Sequence, residues 1–196
     1  MHVNQIEPTD IYEREEYKSL RAQKRKQIVT RKKKRRIDVG PYVTLYFENK
    51  DTIIHQINEM VFIENGGNEQ IIEEIEAYKS LVPNGKELIA TVMVEIDSPL
   101  KRSEALSKMG GFEETFSFKI GDKLIEGKAE LDVDRTTADG KASSVQFVHF
   151  NFSDEEIEMF RKQDSKIELS INHDTYSHST TLQNDIKIEL GNDFIN

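Results

Sequence analysis

The sequence predicts an α+β fold, a mainly antiparallel sheet packed by a helical hairpin, with a long basic helix at its N-terminus. Three features carry that prediction. Between Gly40 and Pro83 a strand-like Tyr42-Val43-Thr44-Leu45-Tyr46-Phe47 feeds two amphipathic segments, split by Asn65-Gly66-Gly67-Asn68. From Phe112 onward apolar residues alternate in short runs bounded by turn signals, the period of half-buried strands. Ahead of both, Arg21 to Arg36 holds ten Lys or Arg and no acid.

The hairpin is the best-defined part. Asp51 is placed to cap a helix running to about Glu64, because a carboxylate there accepts from the free N–H groups of the first turn. At 100° per residue Ile53, Ile54, Ile57, Met60 and Val61 share a face, and Glu64 falls in line with it. The opposite face carries His55, Glu59 and Phe62; His55 and Glu59, four apart, suit either a solvated ion pair or a metal chelate. Asn65-Gly66 supplies a left-handed helix end, and Asn68 is placed to cap the second helix. That helix puts Ile71, Ile72, Ile75, Tyr78 and Val82 on one side, and Pro83-Asn84-Gly85 ends it. The short link favours an antiparallel pair lying on a sheet.

Around the hairpin the chain is read as follows. A helix starts at Thr9 or Asp10 and continues, with a break, to about Arg35, offering Tyr12, Tyr17, Leu20 and Ile28 for burial. Ile37 to Phe47 is a bent or edge strand, since it contains Gly40-Pro41. Leu88 to Ile96 is apolar on both faces and reads as a central strand. Ser98-Pro99 opens a short helix that Gly110-Gly111 closes. Strands follow at Phe116 to Ile120, near Leu124 and Leu131, and at Val145 to Phe152. Ser153-Asp154-Glu155-Glu156 is a capping box before a helix bearing Ile157 and Phe160. Lys166 to His173 and Tyr176 to Leu182 are the last strands, and Asn184 to Asp193 a terminal helix. Residues 1–36 thus form a basic N-terminal helical segment. Residues 37–196 form a single α+β domain, with the helical hairpin at 51–82 and the β-rich part at 112–182.

Composition removes several functions. With 36% hydrophobic and 32% charged residues the chain reads as a soluble, polar globule. No run approaches 18 apolar residues, so no membrane span is expected, and Met1 to Pro8 lacks the basic and apolar regions of a secretory signal. The absence of Cys excludes disulfides and thiolate-held metals or iron–sulfur clusters, and a reducing cytoplasm is the natural setting. A net charge of −9 opposes a general affinity for nucleic acid. The basic run has three readings: docking on the protein's own acidic surface or plain solvation, phosphate binding, or an acidic protein partner. It contains no aromatic residue for base stacking. Phosphate loops, dinucleotide glycine fingerprints, His-Glu-x-x-His and Gly-x-Ser-x-Gly are all missing. Asp132 to Thr137 lacks the sixth-position Gly of a calcium loop.

Tyr46-Phe47-Glu48-Asn49-x-Asp51-Thr52, then Gln56-Ile57-x-Glu59-Met60 and Glu64, then Glu74-x-x-x-x-Tyr78-x-x-Leu81-x-Pro83, resembles a bacterial family labelled only as a domain of unknown function. The likeness continues through Arg135-Thr136, Gly140-Lys141 and Val145-x-Phe147-x-x-Phe150 to His173 and Tyr176; Asp174 stands where the family tends to have Pro. The family is often encoded beside rubrerythrin and iron–sulfur proteins, so the resemblance implies a link to redox or iron metabolism and a redox or iron protein as partner. Two functional readings follow, beside a third, nucleic-acid binding through the basic helix. One is a non-catalytic accessory module whose ligand or partner face uses Asn49, Asp51, Gln56, Glu59, Glu64, Arg135, His173 and Tyr176, with Arg135 as the cation for a carboxylate or an anionic ligand. The other is a metal-dependent enzyme using Glu59 or Glu64 with His173. Neither reading names a cofactor.

Overall fold

A computed structural model describes residues 5–130 and 141–195. A 3-10 turn at Pro8–Asp10 precedes helix α1 (Arg14–Lys33). The Ile37 to Phe47 stretch, expected as a single bent or edge strand, is a hairpin of β1 (Arg36–Asp38), which lies at the sheet edge, and β2 (Val43–Glu48). The reason is Gly40, whose φ of +78° reverses the chain between them. Helices α2 (Lys50–Glu64) and α3 (Asn68–Tyr78) form the expected pair, and Asn65 ends α2 in the left-handed region at φ +58°. Asn49, rather than Asp51, caps α2: its side chain accepts from the Thr52 N–H while the Thr52 hydroxyl accepts from the Asn49 N–H. Gly67 occupies the cap position of α3, and Asn68 is already helical.

The remaining elements are β3 (Glu87–Val94), α4 (Pro99–Leu106), β4 (Phe116–Ile120), β5 (Lys123–Ala129), β6 (Val145–Asn151), α5 (Asp154–Arg161), β7 (Ile167–His173), β8 (Tyr176–Thr181) and α6 (Asn184–Gly191). The strand expected near Leu131 lies outside the described residues. All strands join one antiparallel sheet in the order β1-β2-β3-β6-β5-β4-β7-β8. The sheet curls until its edges approach. Tyr176, opening β8, packs on Tyr42 and donates to the Val39 carbonyl in the β1–β2 turn.

Alternation along the strands sorts side chains into two cores. Leu45, Phe47, Ala90, Val92, Phe118, Val148, Phe150 and Leu169 fill the interior, and Phe160, Leu190 and Phe194 close it from α5, α6 and the chain end. The buried Lys187 ammonium of α6 caps the end of α5, donating to the carbonyls of Lys162, Gln163 and Ser165. On the outer face of the sheet, Ile53, Ile57, Val61 and Ile71 of the helical pair bury against Ile89 of β3, with Phe147 of β6 alongside. This is the predicted packing of isoleucine stripe on sheet. Ile72 departs from it, turning outward and 60% exposed. No described helix is long and apolar enough to cross a membrane.

Candidate functional site

The helix α2 has work for both of its sides. Its isoleucine side meets the sheet, while the side bearing His55, Glu59 and Phe62, read from the sequence as a solvated His55–Glu59 ion pair or a metal chelate, is covered by α1. Tyr17 is the one buried residue of α1. Its ring lies against Phe62 at 5.9 Å and its hydroxyl donates to Glu59 Oε1 at 2.8 Å. Arg21, one turn on, grips the same carboxylate with two 2.8 Å bonds, Nε to Oε1 and Nη2 to Oε2, and stacks over Phe62 at 4.7 Å. The Arg21 guanidinium, ahead of the Tyr17 hydroxyl, holds the Glu59 carboxyl down at about 2 against the opposing effect of burial. Burial and the neighbouring carboxylate push the Tyr17 phenol well above its ordinary value. His55 Nδ1 lies 3.5 Å from that phenol, and burial lowers its pKa below the usual imidazole value.

Beside this cluster a groove of about 540 Å³ runs between the two helices. Tyr17, His55, Ile54 and Asn58 form its floor and inner wall, and Tyr12, Lys24, Arg31 and Asp51 its rim. The Asn58 amide fixes the entering chain, accepting from the Tyr12 N–H at 3.0 Å and donating to the Ile54 carbonyl at 2.8 Å. Lys24 sits over the Tyr12 ring at 4.9 Å, and Arg31 pairs with Asp51. One rim cation is therefore held by an aromatic face and the other by a carboxylate.

The structure brings only some of the sequence candidates together. Asp51 and Glu59 both stand on the α1 side of α2. Asn49 is a helix cap. Gln56 lines a separate cavity between the helical pair and the sheet. Glu64 is exposed at the end of α2 and accepts from Gln70. His173, at the end of β7, meets the Gly110 carbonyl at 3.1 Å and the Thr175 hydroxyl at 3.0 Å. Tyr176 is buried as a sheet closure. Arg135 lies outside the described residues. Among the described residues no three His, Asp or Glu side chains gather to hold a metal ion. Glu59, Glu64 and His173 thus form no such group: Glu59 is taken by Arg21 and Tyr17, and His173 by the β7–β8 turn and the Gly110 backbone.

Sequence reasoning passed over Tyr17, Arg21 and Lys24 as site residues because they lie in a segment with little apolar periodicity. The one available signal was Tyr17 four residues before Arg21, which puts both on one helical face. It also treated Arg35 as one charge of a run. Arg35 is 1% exposed, donating to the carbonyls of Phe47 and Glu48 and pairing with Asp193 and Glu189 at the chain's end. Burial pushes the Asp193 carboxyl up, and Arg35 opposes that shift.

Fold and groove together define an α+β protein with a curled antiparallel sheet, an outer helical layer and a groove in that layer. The chain belongs to the family described as "Protein of unknown function (DUF3501)", matched over residues 5–194. It is similar to a solved structure described as a novel protein of unknown function from Burkholderia pseudomallei K96243. That likeness has 27% identity and a TM-score of 0.90, covering 97% of this chain and 100% of that one. No curated protein matches the sequence.

Proposed function

We propose that the chain is a non-catalytic binding module whose ligand, a small molecule with an acidic group, sits in the groove between α1 and α2. The observation that supports this most is the state of the groups around the groove. A general base needs a free lone pair and a pKa near the working pH. Glu59 has both oxygens engaged and a pKa near 2, and Tyr17 holds its proton tightly. The cluster is built to stay fixed. Lys24, held by the Tyr12 ring face rather than by an acid, supplies the charge that an acidic group recognises.

The basic run fits this reading better than a nucleic-acid one. Arg21, Arg31, Arg35 and Arg36 all pair with acids of the same chain, which supports docking on the protein's own surface. The setting rests on the resemblance alone: it implies a family often encoded beside rubrerythrin and iron–sulfur proteins, and from that we infer an accessory that serves a redox or iron protein.

The test is a two-dimensional NMR titration with acetate, benzoate and inorganic phosphate. Binding at the groove shifts the Tyr12, His55 and Asn58 signals, and Lys24→Ala abolishes the shifts. Shifts confined to other parts of the molecule, or unchanged in Lys24→Ala, contradict the reading.

A further inference from the structure

A second cavity, of about 390 Å³, lies on the other side of α2, between the helical pair and the outer face of β2 and β3. Its chemistry differs from that of the groove. Glu48, the last residue of β2, faces it and is 8% exposed. Each carboxylate oxygen has one hydroxyl partner: Thr91 of β3 donates to Oε1 at 2.8 Å and Thr52 of α2 to Oε2. Arg35 reaches only the Glu48 backbone carbonyl, and Lys32, at the cavity mouth, makes no ion pair with it among the described residues. A buried carboxylate normally has a cationic partner, since hydroxyls solvate the charge without cancelling it. The positive end of α2 beside it offsets part of that charge, and the side chain lines the cavity. The same cavity is lined by aromatic residues from three elements, Tyr46 of β2, Tyr78 at the end of α3 and Phe147 of β6; the Tyr46 ring already carries Arg36 at 5.8 Å, which leaves Tyr78 and Phe147 as the walls for a ligand.

A cavity that holds a carboxylate and aromatic walls is an arrangement that recognises organic cations. The rings attract the cation through their quadrupoles, and the acid fixes it by a charge-assisted hydrogen bond. We infer that this cavity binds a short-chain organic cation, a primary ammonium or guanidinium, with its charged head on Glu48 and its chain along Tyr78 and Phe147. The volume suits a ligand of the size of agmatine or putrescine. Aromatic walls and a neutral-donor shell disfavour a bare metal ion, which needs several oxygen ligands. Lys32 at the mouth opposes entry by like charge.

The experiment is isothermal titration calorimetry of the full chain with agmatine and putrescine, and with 1,4-butanediol as the uncharged analogue. It is run in about 0.15 M salt to screen diffuse attraction to an acidic protein. The cations bind and the diol does not. Glu48→Gln, which keeps the shape and reverses one of the two hydroxyl bonds because the amide nitrogen donates, weakens binding about tenfold or more, and Lys32→Gln strengthens it. Tyr78→Leu, which leaves the Glu48 bonds in place, weakens binding severalfold and carries the test should Glu48→Gln fail to fold. The proposal is overturned if neither cation binds, if the diol binds equally well, or if both Glu48→Gln and Tyr78→Leu bind as the parent does.

Discussion

The phenol of Tyr176, the first residue of the last strand, donates to the carbonyl of Val39 at 2.7 Å, in the turn between the first two strands. This bond spans the two edges of the sheet. Gly40 next to it is required twice over: its φ is +78°, and a Cβ there would come within 2.4 Å of the Tyr176 hydroxyl oxygen. Tyr176→Phe should therefore cost about 1 kcal/mol. Gly40→Ala should cost more, because it adds backbone strain to the clash. Urea unfolding monitored by circular dichroism measures both; equal stabilities for parent and Gly40→Ala would refute the closure.

Arg35 makes a separate prediction. Its guanidinium ties the β2 carbonyls of Phe47 and Glu48 to Asp193 and Glu189 near the C-terminus. Removing one partner of a buried pair leaves the other charge uncompensated. Arg35→Met is expected to destabilise by about 3 to 5 kcal/mol, and Arg35→Met with Asp193→Asn by less than Arg35→Met alone. Denaturant midpoints of the two variants check the ordering.

Acid should loosen the α1–α2 contact in two stages, and the sign follows from two depressed pKa values. The imidazole of His55 is held below its ordinary 6.5 by burial, so the unfolded chain takes up a proton there before the folded chain does. Stability falls as pH drops below about 6.5. The Glu59 carboxyl is held near 2 against an ordinary 4.5, so its contribution is complete above 4.5 and lost as pH falls from there toward 2. Melting temperature against pH should flatten in the upper window for His55→Gln and in the lower window for Glu59→Gln. Unchanged profiles would contradict the assignment.

Much of the fold was legible because periodicity reports which faces are apolar. The stripe Ile53, Ile57, Val61 predicted burial against a sheet, and it holds; the alternation Leu88, Ala90, Val92 against Ile89, Thr91, Met93 predicted a central strand, which β3 is, with its second face buried at Ile89 and half-buried at Thr91 and Met93. Ile72 misled because a helical stripe wider than its contact leaves its margin in water. The site was less legible because its contacts are long-range and polar. Nothing in the order of residues says that Glu59 meets Tyr17 and Arg21, 42 and 38 positions away, or that Arg35 of a basic run turns inward. Charge runs read as solvated surfaces unless one knows which acids fold against them.

The central claim is that α2 is used on two sides, burying isoleucines in the sheet and holding α1 through Glu59. A double-mutant cycle of Tyr17→Phe and Glu59→Gln, read as unfolding free energies in urea, tests it most directly. The account predicts that the two losses are not additive, with a coupling of about 1 kcal/mol. Strict additivity would contradict the Tyr17–Glu59 bond on which the joining of the two helices is argued.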